Sequence, residues 1–237
     1  MKGGFKKVIV VPTYNERENV KRIIPAIFFT VPDITVLIVD DNSPDGTGQE
    51  VIALQQRFPG LSLLSRRGKE GLGKAYIHAF SEVLKDPSVQ TVVMMDADLS
   101  HDPSHLPLMF ERREMYDVVT GSRYVAGGKT EGWEKWRMLL SRWGNRYARM
   151  VTGMPLYDCT AGFNAINADI LRKVDFSGTD MSGYAFIMEL KYLLHRAGAR
   201  FHEIPITFKN RFEGESKISN HIIREGILAP WKMILKK

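Results

Sequence analysis

The stretch VVMMDADLSHD, residues 92–102, sets a run apolar enough for the middle of a β-sheet directly against three carboxylates, Asp96, Asp98 and Asp102. Working outward from it, the same short, β-branched, continuous kind of run recurs at 6–12 (KKVIVVP), 34–40 (ITVLIVD), 61–64 (LSLL), 89–96 (VQTVVMMD) and 116–121 (YDVVTG). Continuous apolar runs of this length predict strands buried on both faces. Between them, helix-like spacing covers 15–28, 46–58, 73–84 and 103–115. Strand alternating with helix predicts an α/β fold, Rossmann-like, with a mostly parallel central sheet flanked by helices. After about residue 122 the rhythm changes to helices over 133–151 and 184–198, a strand over 200–207 and a basic helix over 216–236. We read 1–237 as one domain: a ligand-binding half to about 122, then a helical elaboration on the same sheet.

In an open parallel sheet, ligands bind beyond the carboxyl ends of the strands. Three predicted strands end in polar clusters, PTYNE (12–16), DDNSPDGT (40–47) and DADLSHD (96–102), which should line one crevice. Asp96 and Asp98 are two apart, so in extended geometry both carboxylates face one side and Ala97 the other. That is a clamp for a hard cation, Mg²⁺ or Mn²⁺, which keeps part of its coordination for a substrate diphosphate. Asp102 before Pro103 reads as a helix cap. Glu16 also suits a first helical turn, and Asp45-Gly46 is an ordinary turn dipeptide. GKEGLGKA (68–75) approaches a phosphate-binding loop, but Ala75 stands where Ser or Thr would hold Mg²⁺, so its glycines read as the start of a helix packed on the sheet.

Thirty-three Lys and Arg against 27 Asp and Glu give a net charge of +6, which favours an anionic partner. No nucleic-acid motif appears, and strand-end carboxylates repel phosphate unless a cation intervenes. A single cysteine, Cys159, rules out an internal disulfide and fits a reducing, cytoplasmic compartment. The basic, briefly apolar N-terminus reads as a first strand and not a signal peptide. No uncharged run is long enough to span a bilayer. WEKWRMLLSRWGNRYARM (133–150) stacks Arg137 and Ser141 at i, i+4, with Arg142, Arg146 and Arg149 as a second basic stripe, the pattern of an interfacial helix. The apolar residues of 219–237 recur at helical spacing and serve equally a membrane face or a helix docked on the core. Pro230 predicts a kink or an end there.

Taken in order, PTYNERENV, IVDDNSPDGTG, GLGKAYIHAF, MDADLSHDP, GSRYVAGG, LLSRWGN and RFEGESKIS resemble the dolichol- or polyprenol-phosphate mannose synthases of glycosyltransferase family 2, from about residue 8 to about 220. The resemblance implies a GT-A fold, GDP-mannose as donor, a divalent cation, and transfer to a polyprenyl phosphate with inversion. It places Pro12, Tyr14, Glu16, Val39, Asp41 and Ala97 in the nucleotide pocket, Asp96 and Asp98 on metal and diphosphate, and Ser100 where some relatives have a metal-binding glutamine. Arg123, Arg211 and Lys217 match positions at the donor phosphates, Arg137 and Ser141 the acceptor-phosphate site, and Asp98, Arg123 and Arg137 the catalytic set. Ala161, Asn164 and Ile187 depart from the family pattern near the acceptor.

A phosphate monoester is already ionised at neutral pH, its second pKa being about 6, so this acceptor needs no general base. The resemblance implies work on the cytoplasmic face of a membrane, reached peripherally through basic amphipathic helices or through a membrane partner subunit. Two alternatives stay open at this point: a polyprenyl-phosphate glucose synthase using UDP-glucose, and a catalytically silent membrane-docking subunit.

Overall fold

A computed structural model describes residues 6–179, 185–209 and 220–235. The first half follows the sequence reading closely: β1 (Lys6–Thr13), α1 (Arg17–Thr30), β2 (Thr35–Asp40), α2 (Thr47–Gln55), β3 (Leu61–Ser65), α3 (Leu72–Val83), β4 (Val89–Met94), a 3-10 turn (Pro103–His105) running into α4 (Leu106–Arg113), and β5 (Val118–Ser122). The second half contributes β6 (Lys129–Glu131), α5 (Lys135–Thr152), β7 (Asn164–Asn167), α6 (Ala168–Leu171), α7 (Ala185–Arg196), β8 (Phe201–Pro205), β9 (Thr207–Lys209) and α8 (Asn220–Leu235). The main sheet among the described residues has the order β3-β2-β1-β4-β7-β5-β8, and β6 pairs with β9 in a separate parallel ribbon.

Period-two alternation explains the layers. Ile9 and Val11 of β1 enter a core with Ile23, Ile24 and Ile27 of α1, while Val8 and Val10 face the other way onto Ala75, Tyr76 and Phe80 of α3. Each fully buried aliphatic side chain of this kind contributes about 1.5–3 kcal/mol, which is why residues 8–11 at the centre of β1 include no polar residue. A third, smaller core joins α5, α7 and α8 through Ala148, Met154, Met188, Tyr192, Ala229 and Met233.

The second half elaborates the same sheet by adding strands to it: β8 lies on its edge and β7 is inserted antiparallel between β4 and β5. One expectation changes. Pro230 neither ends nor marks off α8, which continues to Leu235. Ala229 and Met233, on either side of it, are both buried in the third core and hold the two parts of the helix to one surface. Asp102 caps as its position before Pro103 suggests, accepting from the Ser104 N–H at 2.9 Å.

Gly128 closes the turn after β5 so tightly that a Cβ there would stand 2.6 Å from the Ser122 carbonyl oxygen and 2.9 Å from the Arg123 carbonyl carbon. Gly144 of α5 has open space around it. Gly128→Ala should therefore lose about 1–3 kcal/mol of stability, and Gly144→Ala should lose none, since alanine is the better helix former. Urea unfolding of both variants checks this; equal midpoints would contradict the close approach.

Candidate active site

The ends of β2, β1 and β4 lie side by side, so the three polar clusters meet at one edge of the sheet. Each turns away through one non-glycine residue in the left-handed region, Asn15 (φ 59°), Asn42 (φ 57°) and Leu99 (φ 63°). Such residues are uncommon and persist where the surroundings over-determine them. Here the surroundings are side-chain hydrogen bonds. Asp40 accepts from the Thr13 hydroxyl at 2.9 Å, the Ser43 hydroxyl at 2.6 Å and the Ser43 N–H at 3.0 Å. The Asn15 N–H donates to the Ser43 hydroxyl and the Glu16 N–H to that of Thr47. Asp45 takes the Arg17 and Thr47 N–H groups; burial acts against it, but these bonds and the Thr47 hydroxyl hold its carboxyl below the ordinary value.

Asp41, in contrast, is held by a cation. Its carboxylate meets Arg66 at 2.5 Å, both side chains nearly buried, and Arg66 also reaches Glu70 at 2.6 Å. Burial pushes the Asp41 carboxyl up against the pull of Arg66. Pro12 and Val39 sit opposite one another in the β1–β2 register, with the Val39 side chain in the core. Tyr14 lies beneath the Lys69 ammonium, 4.2 Å from its ring centre. Glu16 accepts from the Asn19 amide. Arg211 and Lys217 lie outside the described residues.

Asp96 and Asp98 follow β4 as expected. Asp98 is nearly buried, its Oδ1 accepting from the Ser100 hydroxyl at 2.6 Å and N–H at 3.1 Å, while the Asp96 side chain is one-third exposed. Ala97 is buried on the opposite side. His101 was not among the residues singled out, yet its Nδ1 accepts from the Asp96 N–H at 3.0 Å, so Nε2 carries the proton and stands 3.8 Å from Asp96 Oδ2. A Cβ on Gly162 would fill space 3.7 and 3.9 Å from the two Asp96 oxygens. The described residues contain no cluster of three or more His, Cys, Asp or Glu side chains able to hold a metal. Two hard carboxylates, that of Asp96 one-third exposed, fit a Mg²⁺- or Mn²⁺-sized ion that takes its remaining oxygens from a substrate and water.

Arg123 follows β5 and is buried. Its fork is bidentate on Asp158 at 2.7 and 2.6 Å, and it also donates to Thr160 at 2.8 Å. The Tyr124, Trp133 and Phe208 rings surround its guanidinium at 5.2–5.5 Å. Burial opposes both charges, but the pairing prevails, raising Arg123 and holding Asp158 below the ordinary carboxylate value. The network continues to the helix that carries Arg137 and Ser141. Asn145 of α5 accepts from the Thr160 N–H at 3.2 Å and donates to the Ser141 carbonyl at 2.9 Å, and the Tyr124 hydroxyl donates to that of Ser141 at 2.6 Å. Arg137 stacks on the Trp133 ring at 4.3 Å. Asn164, one of the departures from the expected pattern, is a buried brace that bonds Thr120 and the Ala161 carbonyl.

Residues 8–175 match the model of the glycosyl transferase family 2 domain. The chain belongs to glycosyltransferase family 2. It is 40% identical, over 94% of its length and 92% of the relative's, to an undecaprenyl-phosphate mannosyltransferase of Micrococcus luteus. It is 37% identical, over 95% and 86%, to a polyprenol monophosphomannose synthase of Mycolicibacterium smegmatis. Glucosyl-3-phosphoglycerate synthase of Mycobacterium tuberculosis, solved with Mn²⁺, UDP and its product, superposes with a TM-score of 0.71 at 19% identity, over 98% of this chain and 81% of that one. The fold of this glycosyltransferase is thus the GT-A arrangement. Four residues not legible as site residues in the sequence, Arg66, His101, Asn145 and Asp158, each bond a predicted site residue directly, and Lys191 in turn bonds Asp158.

Lys191 of α7 is buried and donates to the Asp158 carbonyl at 2.9 Å. Burial, only partly offset by Asp158, Cys159 and Glu203, lowers its ammonium from 10.5 to about 8. The unfolded chain then holds this proton more tightly, so its contribution to stability rises as pH goes from about 8 to 10.5. Cys159, pushed up to about 12 from 9 by burial, acts in the opposite sense, so the comparison is with a variant that keeps it. The stability of the wild type relative to Lys191→Met should climb between pH 8 and 10.5 in chemical denaturation; a flat difference would contradict the burial of a lysine with this titration.

Proposed function

We propose that this family 2 glycosyltransferase transfers mannose from GDP-mannose to a polyprenyl, dolichyl-type monophosphate with inversion, giving polyprenyl-phosphate mannose and GDP. Supporting it most directly is the tying of an Arg- and Ser-bearing helix, through Asn145, Thr160 and Asp158, to the edge that carries Asp96 and Asp98. Two relatives matching nearly the whole chain carry names that point to the same reaction.

In this reading residues to about 122 hold the donor and 123–237 the acceptor within one catalytic domain. Pro12, Tyr14, Glu16, Val39, Asp41 and Ala97 form the nucleotide pocket, with Arg66 fixing the Asp41 carboxylate. Asp96 and Asp98 hold a Mg²⁺ or Mn²⁺ ion, and Ser100 orients Asp98 through its hydroxyl. When bound, the cation neutralises the donor diphosphate and its leaving charge as a Lewis acid. Arg137, with Ser141, grips the acceptor phosphate through a planar fork and holds it for in-line attack. Arg211 and Lys217 complete the cationic set at the donor phosphates. Arg123, its fork occupied by Asp158, serves the site as half of a charge-neutral pair that fixes the loop of residues 157–160. No base is assigned because the acceptor oxygen is already ionised.

A lipid acceptor requires contact with a membrane. Among the described residues no helix is long and apolar enough to cross one. Exposed Trp136, Leu139, Leu140 and Trp143 of α5 lie on the helix that packs against α8, which exposes Ile227, Leu228, Trp231 and Leu235. Tyr147 joins the two, donating to the Ile227 carbonyl at 2.8 Å and accepting from the Trp231 indole at 2.7 Å. With Arg142 and Arg146 also exposed on α5, this surface suits peripheral docking on the cytoplasmic face of an anionic membrane, directly or beside an anchoring partner protein. The same basic charge then serves lipid and substrate phosphates, not nucleic acid.

Radiolabelled GDP-mannose and UDP-glucose, offered with polyprenyl phosphates with and without EDTA, test the reaction. Metal-dependent mannosyl lipid is expected. Glucosyl lipid alone, or no product with either donor, contradicts the proposal. Asp98→Ala should lower turnover by a factor on the order of 10³ with an unchanged circular dichroism spectrum; near-normal turnover in excess Mn²⁺ would sink the metal assignment. Trp143→Ser with Leu228→Ser should weaken binding to anionic liposomes roughly tenfold or more while a water-soluble short-chain acceptor is still mannosylated. Unchanged liposome binding would move the membrane contact elsewhere.

A further inference from the structure

Trp133 occupies a place in the site that neither the motifs nor the relatives assign. It lies between the β6 strand and α5, just after Gly132, whose φ of 76° turns the chain. Two guanidiniums lie against its ring, Arg137 at 4.3 Å and Arg123 at 5.4 Å. Phe208 of β9 meets it edge-on at 5.7 Å, and Phe208 in turn meets His101 at 6.0 Å, the ring whose Nδ1 accepts from the Asp96 N–H. One run of rings therefore joins the arginine at the acceptor side to the carboxylate at the donor side.

The indole Nε1–H of Trp133 is buried and has no hydrogen-bond acceptor among the described residues. Tryptophan N–H groups find a partner when buried, and a donor left without one is costly. Trp136, nearby in sequence, shows the ordinary arrangement, its indole donating to Glu134 at 2.7 Å. The ring that lies against Arg137 thus carries an orphan donor, which an oxygen of the ligand bound by that arginine would satisfy.

We propose that Trp133 is a positioning and binding residue for the acceptor phosphate. Its ring holds the Arg137 guanidinium in plane by cation–π stacking, and its Nε1–H donates to an oxygen of the same phosphate. This rests on the reading of Arg137 as the acceptor-phosphate residue. Trp133→Phe keeps an aromatic platform and removes the N–H; Trp133→Leu removes both. Ring stacking of a desolvated guanidinium and a single hydrogen bond to a charged group each have effects large enough to measure.

The experiment uses the full chain, GDP-mannose with Mn²⁺, and a short-chain polyprenyl phosphate. It reads acceptor KM, kcat, donor affinity by calorimetry, and melting midpoint for Trp133→Phe, Trp133→Leu, Arg137→Ala and the Trp133→Leu/Arg137→Ala double variant. Trp133→Phe should raise acceptor KM about 3- to 10-fold and Trp133→Leu about 10- to 30-fold, with donor affinity within about twofold. Once Arg137 is alanine, Trp133→Leu should add no more than the roughly 3- to 10-fold of the lost N–H, because its platform then has no guanidinium to hold. If Arg137→Ala raises acceptor KM but the Trp133 effects multiply independently, or appear equally in donor affinity, the role of Trp133 is overturned alone. If Arg137→Ala leaves acceptor KM unchanged, the acceptor reading falls, and this inference with it.

Discussion

Everything on the acceptor side of this protein hangs on one buried ion pair. Asp158 is completely buried and Arg123 nearly so, and between them they make three hydrogen bonds of 2.6–3.0 Å, one of them from the Arg123 backbone N–H. Desolvating two charges is costly, and the pair is not a source of stability compared with apolar residues of the same shape. Removing one partner, however, strands the other at a cost of about 3–5 kcal/mol. The pair is therefore a specification device: the loop of residues 157–160 has one place to go.

Three elements are fixed by that choice. The Lys191 ammonium brings α7 to the Asp158 carbonyl, and Glu203 of β8 accepts from the Tyr157 and Asp158 N–H groups at 2.7 and 2.9 Å. Thr160 then presents its backbone to Asn145, which sets the roll of α5 about its axis. That roll decides two things together. It turns Arg137 and Ser141 toward the strand ends, and it leaves Trp143 two-thirds exposed on the side shared with the apolar face of α8. On the proposed function, catalytic geometry and membrane contact would in this way be properties of one helix orientation, which suits an acceptor with its phosphate in the site and its chain in a bilayer.

The sequence revealed the strand-end clusters of the first half far better than the architecture of the second, for a physical reason. Strands buried on both faces must be continuously apolar, so 6–12, 34–40 and 89–96 announced themselves, and the polar clusters after them could only lie at one edge. β7 gave no such signal: it is four residues long, NAIN, and two of the four are asparagine, one of them buried by hydrogen bonds to Thr120 and Ala161. Asp158, Asn145 and Lys191 are ordinary residue types whose partners lie 15 to 35 positions away, a separation no periodicity records. One local clue existed, since Glu189 and Lys191 alone carry charge in FIMELKYLL (186–194), within a helix that has no exposed face there. His101 stands inside DADLSHD, yet only the folded chain shows its ring nitrogen accepting from the Asp96 N–H. Pro230 does not end its helix because the buried Ala229 and Met233 on either side hold it to one core.

The most direct test of this account is a crystal structure of the full chain with GDP, Mn²⁺ and a short-chain polyprenyl phosphate. The account predicts the diphosphate and cation at Asp96 and Asp98, the lipid phosphate on Arg137 and Ser141, and Arg123 still bidentate on Asp158. A structure in which Arg123 has left Asp158 for the diphosphate, or in which Arg137 holds the nucleotide, would contradict it.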